Sequence, residues 1–477
     1  MNTLTIGWLA GAFFLAFTTY LIPRFAKVLS CLGAVFSLGY GLALAAIKTP
    51  VSLRLLDNFG VSLLLDELTV FFVLTNALIT LAVVLTTWET DRTPFFFAQL
   101  LTLHGSLNVA FAVTDWVSLY VALEVVAISA FLLITYSRQE RVLWVGLRYL
   151  FVSNVAMLFY LVGAVLVYEA HHSFDFGGLR VAPPEAVALL LLGLLVKGGV
   201  FLLGFWLPMT HAEAEAPVSA LLSGVVVKAA LLPLLRCSLL MPEVESLVRG
   251  VGVATAVLGV VYALGERDVK RLLAWSTVSQ VGFVLAAPSV GGFYALSHGL
   301  SKAALFLVAG RLPSRQLPQL RAQGVSWSLG LPWGLASLSM MGFPGLAGFG
   351  AKVLTMQQLW PWQTGLMSAA AVGTAVVYGH LLFVPWRWSG ESPSSGLQGA
   401  LAVLLGGLML ANGVDLGVFT GSEMGKALLT IALGWGLYWG VSRWWSLPLP
   451  HAGERLEHLL GMMSLGLVVL FWWVWAW

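Results

Sequence analysis

The 477-residue chain has little cysteine and little charge. Its two cysteines, Cys31 and Cys237, lie far apart in apolar segments and supply no Cys-x-x-Cys pair, no zinc set and no iron–sulfur ligand set. Any redox cofactor is therefore expected on another chain, and none is assigned to this one. The glycine-rich run Gly345-Leu-Ala-Gly-Phe-Gly-Ala-Lys352 lacks the Gly-Lys-Ser/Thr ending of a phosphate loop. His171 and His172 share a polar loop with Asp175, which is too few convergent ligands for a metal, and none is expected. The net charge of +3 comes with no basic patch, so nucleic acid is not an expected partner. No stretch shows the ten-residue dyad alternation of an outer-membrane barrel.

Long apolar runs dominate instead. Hydrophobic residues make up 59% of the sequence and charged ones 10%, against about 25% charged in soluble domains. Helices are the remaining spanning structure that satisfies the backbone in hydrocarbon, so an all-α polytopic membrane protein is expected. At about 20 residues per span it would hold about 14–16 transmembrane helices. The third is expected at 62–87, the seventh at 186–206 and the twelfth at 328–357. The first lacks a basic leader and a small-residue cleavage site, and reads as a retained helix. Most of the 25 Lys and Arg residues, Arg148, Lys270 and Arg443 among them, fall in odd-numbered loops. Those loops are then cytoplasmic and both termini lie outside. The tryptophan-rich segment 471–477 reads as an interfacial anchor.

Four lysines interrupt these runs: Lys197, Lys228, Lys302 and Lys352. On the insertion scale they cost on the order of 10–14 kcal/mol together before any pairing, which points to movement of charge. Lys197 is followed by Gly198-Gly199, and Lys352 follows Gly342-Phe-Pro344-Gly345-Leu-Ala-Gly348-Phe-Gly350. Both contexts favour broken helices, and interrupted helices in corresponding positions mark inverted-repeat transporters. The interval divides the chain into an N-terminal three-helix segment (1–94), two five-helix repeats (95–240 and 241–386) and C-terminal peripheral helices (387–477). Five is odd, so the two repeats would be inserted in opposite senses.

Glu124 is the intramembrane acid that stands out, and Lys197 on another helix of the same repeat is its natural partner. Such a pair can store and release a proton as the carboxylate approaches or withdraws. His298 and Lys302, four residues apart on one helix face, could continue a relay with Lys228 towards Lys352. Single polar residues in bundles often serve as interhelical glue, which is the favoured reading of His104 and His380. Asp66, Glu67 and Asp115 fit interfacial positions.

The segment Phe205-Trp206-Leu-Pro208-Met-Thr-His211-Ala-Glu213-Ala-Glu-Ala-Pro217, leading to Val227-Lys228, resembles the signature of the antiporter-like subunits shared by respiratory complex I and Mrp-type sodium/proton antiporters. Asp268-Val-Lys270-Arg271-Leu-Leu-Ala-Trp-Ser276-Thr-Val-Ser279-Gln280 and the His298/Lys302 helix resemble it too. Met209, Glu215 and Trp275 depart from the family pattern. The resemblance implies two inverted five-helix units and a line of ionisable groups parallel to the membrane. In it Glu124 is the fifth-helix glutamate, Lys197 the seventh-helix lysine and Lys228 the bridging lysine. His298 and Lys302 are the His-x-x-x-Lys pair, and Lys352 stands at the outlet.

Length and the segment around Glu454-Arg455-Leu-Glu457-His458 look most like the D-type member of the Mrp antiporters. The expected function is a subunit of an Mrp-type cation/proton antiporter that translocates protons, with Na+ as a second candidate ion. One alternative is a proton-pumping subunit of a complex I-like NAD(P)H- or ferredoxin-quinone oxidoreductase. The other is an inert membrane scaffold. No redox chemistry is expected of the chain itself. Its expected partners are protons, other membrane subunits and the lipid bilayer, in a bacterial inner membrane or a thylakoid membrane.

Overall fold

The computed structural model describes every residue except 57–58, 389–391, 414–416, 443–448, 451 and 477. Arg443 and Trp477 thus lie outside the described residues. The chain begins with α1 (Asn2–Leu21) and α2 (Ala26–Ile47), followed by an antiparallel hairpin of β1 (Val51–Leu56) and β2 (Gly60–Leu65). Next come α3 (Glu67–Thr87), α4 (Pro94–Ala112), α5 (Trp116–Ile134), α6 (Glu140–His171) and α7 (Pro184–Lys197). Short α8 (Leu207–Glu213) and α9 (Ala216–Leu221) lead through a π-helical turn to α10 (Lys228–Leu240). Then follow α11 (Pro242–Gly265), α12 (Val269–Ala286), α13 (Gly291–Ala309), α14 (Leu317–Gln323), α15 (Trp327–Met341), α16 (Ala347–Gln357) and α17 (Pro361–Leu382). The last helices are α18 (Ser395–Asn412), α19 (Gly421–Leu437) and α20 (Leu456–Val474).

Every expected span contains a helix or a broken helix among the described residues. Among the described residues, eleven single helices are long and apolar enough to cross a membrane, and two bent pairs raise the number to 13. This is an integral membrane protein. The remaining expected spans are also helical but come in short pieces: 15 residues in α15, 11 in α16 and 17 in α19. The third span starts later than expected. Residues 62–65 pair with β1 as strand, and the Asp66 carboxylate accepts from the Thr69 backbone N–H, so the helix starts at Glu67.

All 19 residues of α13 are buried, which makes it the axis of the bundle. It packs against α3, α12, α15 and α18. On the periphery, α1, α2, α19 and α20 present apolar side chains outward, including Trp472 and Trp475 of the expected aromatic anchor.

The first four helices are fastened by a closed ring of hydrogen bonds. Asn108 Nδ2 on α4 donates to Ser37 Oγ on α2 at 3.2 Å, and Trp8 Nε1 on α1 donates to the same oxygen at 3.0 Å. With both acceptor positions filled, the Ser37 proton goes to His104 Nε2, 2.7 Å away. His104 Nδ1 then carries the ring proton and donates to Thr80 Oγ1 on α3 at 3.0 Å. Thr80 donates to Asn76 Oδ1 at 3.4 Å, and Asn76 Nδ2 returns to Asn108 Oδ1 at 2.8 Å. His104 is thereby held neutral in a circuit without a loose end, in keeping with its reading as interhelical glue.

Candidate functional site

The seventh span breaks where its glycines fall. Helix α7 ends at Lys197, and Gly199 takes a φ of +67°, a conformation open to glycine but not to most L-residues. Phe201 follows at φ +49°, its N–H bonded to Thr255 Oγ1 on α11 at 3.0 Å. The two pieces of the span, Pro184–Lys197 and Phe201–Glu213, meet at 42°. A helix C-terminus carries the negative end of the backbone dipole, so this break puts Lys197 where a cation is favoured. Its Nζ donates to Glu124 Oε1 at 3.4 Å and to the Leu123 carbonyl at 3.2 Å, both on α5. When its amide is oriented to donate, Asn154 on α6 reaches the other oxygen, Oε2, at 3.3 Å. A cavity of about 10 Å³, the size of one water, adjoins Lys197 between Tyr149, Ser153 and Trp206.

Lys228 lies fully buried just beyond the π-turn of Leu222–Val226. A π-turn shifts the hydrogen-bond phase and leaves carbonyls available, which is why such turns gather at functional sites. Lys228 Nζ takes the Ser223 carbonyl at 3.1 Å and lies 3.2 Å from His298 Nδ1. The other ring nitrogen of His298, Nε2, is buried without a hydrogen-bond partner. One turn on, Lys302 points to α12. It donates to the Leu273 carbonyl at 2.7 Å and to Ser276 Oγ, with the Tyr378 ring 5.6 Å from its ammonium.

Further along α12, Gln280 accepts from Tyr294 at 2.5 Å and donates to Thr374 at 3.3 Å. Beyond them Lys352 donates to the Met341 carbonyl at 3.2 Å, with the Phe283 ring 5.5 Å away. The break between α15 and α16 makes this possible. A Cβ on Gly348 would overlap the Ser339 carbonyl oxygen, so only glycine lets the two half-helices approach this closely. Each broken helix is the fourth span of its expected five-helix unit.

The structure therefore brings Glu124 and Lys197 together, and separately Lys228 and His298, while Lys302 and Lys352 each rest on a carbonyl. Among the described residues, Lys228, Lys302 and Lys352 have no carboxylate within 4.0 Å.

Several loop assignments need correction. Lys270 is buried and donates to the Ala214 carbonyl, because the short link Ala214–Glu215 between α8 and α9 folds over it. It lines a cavity of about 530 Å³ with Arg92, Glu215 and Arg315, at the end of the bundle where the odd-numbered loops gather. Arg148 is buried as well, its guanidinium donating to the Glu454 carbonyl, while the Glu454 carboxylate receives Arg271. Asp115, at the start of the fifth span, is buried, where it accepts from Ser62 N and Ser118 N and so joins the hairpin to α5. His380 stands apart from the lysines, 2.7 Å from Arg321. The sequence motif also contains His211, which was not singled out and is fully buried, its ring 6.1 Å from that of Phe306, one turn beyond Lys302. The signal was its place inside the quoted motif.

A family profile described as NADH:quinone oxidoreductase/Mrp antiporter, transmembrane, matches residues 113–377, a stretch that contains Glu124, the four lysines and His298. The chain belongs to this family. Hydrogenase-4 component B of Escherichia coli (strain K12) is 31% identical over 289 residues, 53% of this chain and 43% of that protein. The chain thus aligns with less than half of that relative's length. NAD(P)H-quinone oxidoreductase chain 4 2 of Thermosynechococcus vestitus is 28% identical over 357 residues, 67% of either chain.

Two solved structures share the antiporter-like fold. A chain of the Mrp complex from Dietzia sp. matches 98% of this chain and 59% of its own length, with a TM-score of 0.80 at 23% identity. A chain of respiratory complex I from Thermus thermophilus matches 91% and 98%, with a TM-score of 0.71 at 24% identity. The closed ring of α2–α4 and the helices α18–α20 lie outside the segment that the NADH:quinone oxidoreductase/Mrp antiporter profile matches.

Proposed function

We propose that this chain is the proton-translocating subunit of a multisubunit membrane complex, working through Glu124, Lys197, Lys228, His298, Lys302 and Lys352. The observation that carries the reading is the Glu124–Lys197 pair at the break of α7. Lys197 holds its proton while Glu124 stays close, because the carboxylate and the helix terminus both favour the ammonium. If the carboxylate withdraws, the cation is left on a carbonyl and the dipole alone, and its proton moves on. Lys228 can pass a proton to His298 Nδ1 across 3.2 Å, and Nε2 can pass one onward. Ser276, Gln280 and Tyr378 supply hydroxyl and amide groups between Lys302 and Lys352. The cavity beside Lys270 is the access mouth on the odd-loop, cytoplasmic side, with both termini outside. Lys352 is the outlet. The units 95–240 and 241–386 are related by inversion, each contributing one broken helix.

For the complex itself the first reading is an Mrp-type cation/proton antiporter, supported by the fold match across nearly the whole chain. The second is a complex I-like or hydrogenase-linked pump, supported by the names of the curated relatives. The bacterial inner membrane or a thylakoid membrane is the proposed site of action. The test is to purify the native complex in mild detergent, identify the co-purifying chains by mass spectrometry, and measure proton and 22Na+ flux in proteoliposomes. Small hydrophobic partners with coupled Na+ and proton flux support the Mrp reading. Flavin or iron–sulfur partners, with protons moving and Na+ not, support the second. Absence of any proton flux from an intact, energised complex overturns both.

A further inference from the structure

A groove of about 1150 Å³ runs between α2, α3, α13 and α18, apart from the lysine line. It is larger than the roughly 300–1,000 Å³ of pockets that hold compact ligands. Its walls are apolar, with Leu74 and Leu78 of α3, Phe293 and Leu296 of α13 and Leu410 of α18. Along α3 the lining runs from Glu67 to Leu81. At about 1.5 Å per residue that is a depth of about 21 Å, more than half of the ~30 Å hydrocarbon core.

One end of the groove is charged. Lys48, Asp66 and Glu67 gather there, where α2 ends and α3 begins. Asp66 is taken by Arg236 of α10, which reaches its two oxygens at 2.9 and 3.0 Å. Lys48 and Glu67 have no ion-pair partner among the described residues, and they offer one cation and one anion at the mouth of an apolar slot.

We propose that this groove holds a zwitterionic phospholipid of the phosphatidylethanolamine type. The lipid phosphate meets Lys48, the ammonium meets Glu67, and an acyl chain lies along α3. With Asp66 already neutralised by Arg236, a single anionic headgroup would satisfy Lys48 but oppose Glu67, so the charges at the mouth favour the zwitterion. Because Phe293 and Leu296 sit on the helix that carries His298 and Lys302, the bound chain packs against the back of the bundle's axis. Occupancy of the groove does not depend on the proton path.

Gly406 on α18 lines the groove, and no heavy atom lies within 4 Å of a Cβ built there, so a larger side chain can enter it without displacing the backbone. The experiment reconstitutes the purified native complex in bilayers of phosphatidylethanolamine and phosphatidylglycerol, with a diazirine-tailed analogue of one or the other as the probe. The phosphatidylethanolamine probe is expected to label peptides within 67–81 and 402–411. Gly406→Phe should cut that labelling at least about fivefold. Lys48→Glu should weaken it, and the double exchange Lys48→Glu with Glu67→Lys should restore it, since a zwitterion can reverse its contacts. Equal labelling in Gly406→Phe overturns the proposal, as does equal labelling by the phosphatidylglycerol probe. A cross-link that places a membrane helix of another protein in the groove overturns it too.

Discussion

In the ring of α2, α3 and α4 every donor meets an acceptor and the circuit closes on Ser37, whereas along the lysine line three ammonium groups rest on carbonyls or hydroxyls and His298 keeps one nitrogen unpartnered. Both regions are buried, and both contain a histidine. In the ring, His104 has no hydrogen-bonding capacity left over, so a proton arriving there would have to break a bond. In the line, charge is held by weak partners that can be exchanged. Complete buried polarity in a membrane serves as a fastener, and the incomplete set along the lysines is what the proposed relay requires.

The sharpest way to break the comparison is at the pair. Lys197→Ala and Glu124→Ala should each lower proton flux by about 100-fold or more, the scale on which positioned acid–base groups act, while assembly by native gel stays normal. Near wild-type flux in both variants would falsify the relay assignment. Gly348→Ala comes next. Its methyl group collides with the Ser339 carbonyl, so α16 must shift and carry Lys352 with it. Flux should drop roughly tenfold, the equivalent of about 1.4 kcal/mol at the barrier, and unchanged flux would mean that the break is not a fixed element. At the outlet, Lys352→Glu should retain more flux than Lys352→Ala because a titratable group remains. Equal loss in the two removes Lys352 from the path.

The fastener should respond in the opposite sense. His104→Ala takes the acceptor from the Ser37 hydroxyl proton and the donor from Thr80 Oγ1, so the complex should lose about 0.6–3 kcal/mol of stability and its thermal midpoint should fall. Flux per folded complex should stay at the wild-type level. A collapse of flux at normal stability would move His104 into the conducting set.

The smallest effect concerns Asp66. Burial pushes its carboxyl up, but the charge and hydrogen bonds of Arg236, with those of Thr69, outweigh burial and hold it below the ordinary carboxylate value. Its stabilising contribution is full above the unfolded pKa of about 3.9 and is lost as pH falls through the lower folded value. Asp66→Asn should remove that acid-side dependence. An unchanged acid profile in the variant would show that the pair contributes nothing there.

The lysines and the two breaks were legible in the sequence because a charge or a glycine cluster inside an apolar run is a local signal. Glu124 beside Lys197 was legible for the same reason, and the structure places them 3.4 Å apart. The ring was not. Ser37, Asn76, Thr80 and Asn108 are each unremarked in their own helices and acquire meaning only when three helices meet. The π-turn before Lys228 escaped because hydrogen-bond phase leaves no mark in composition. Lys270 at the start of α12 and Arg148 two turns into α6 counted as loop charges, and the fold of distant segments over them, Ala214 and Glu454, takes them out of solvent. The strand at 60–65 was hidden because a short apolar run cannot be told from helix by periodicity, and Asp66-Glu67 read as charges at the start of the span rather than as the helix cap.

The ring also bears on how the protein is made. Its last member, Asn108, leaves the ribosome long before Lys352, so the first four helices can be locked together in the bilayer while most of the proposed relay residues are still untranslated. A neutral, self-contained N-terminal unit then offers later helices a finished wall to insert against. The cations enter last, and they enter a site whose first side is already built.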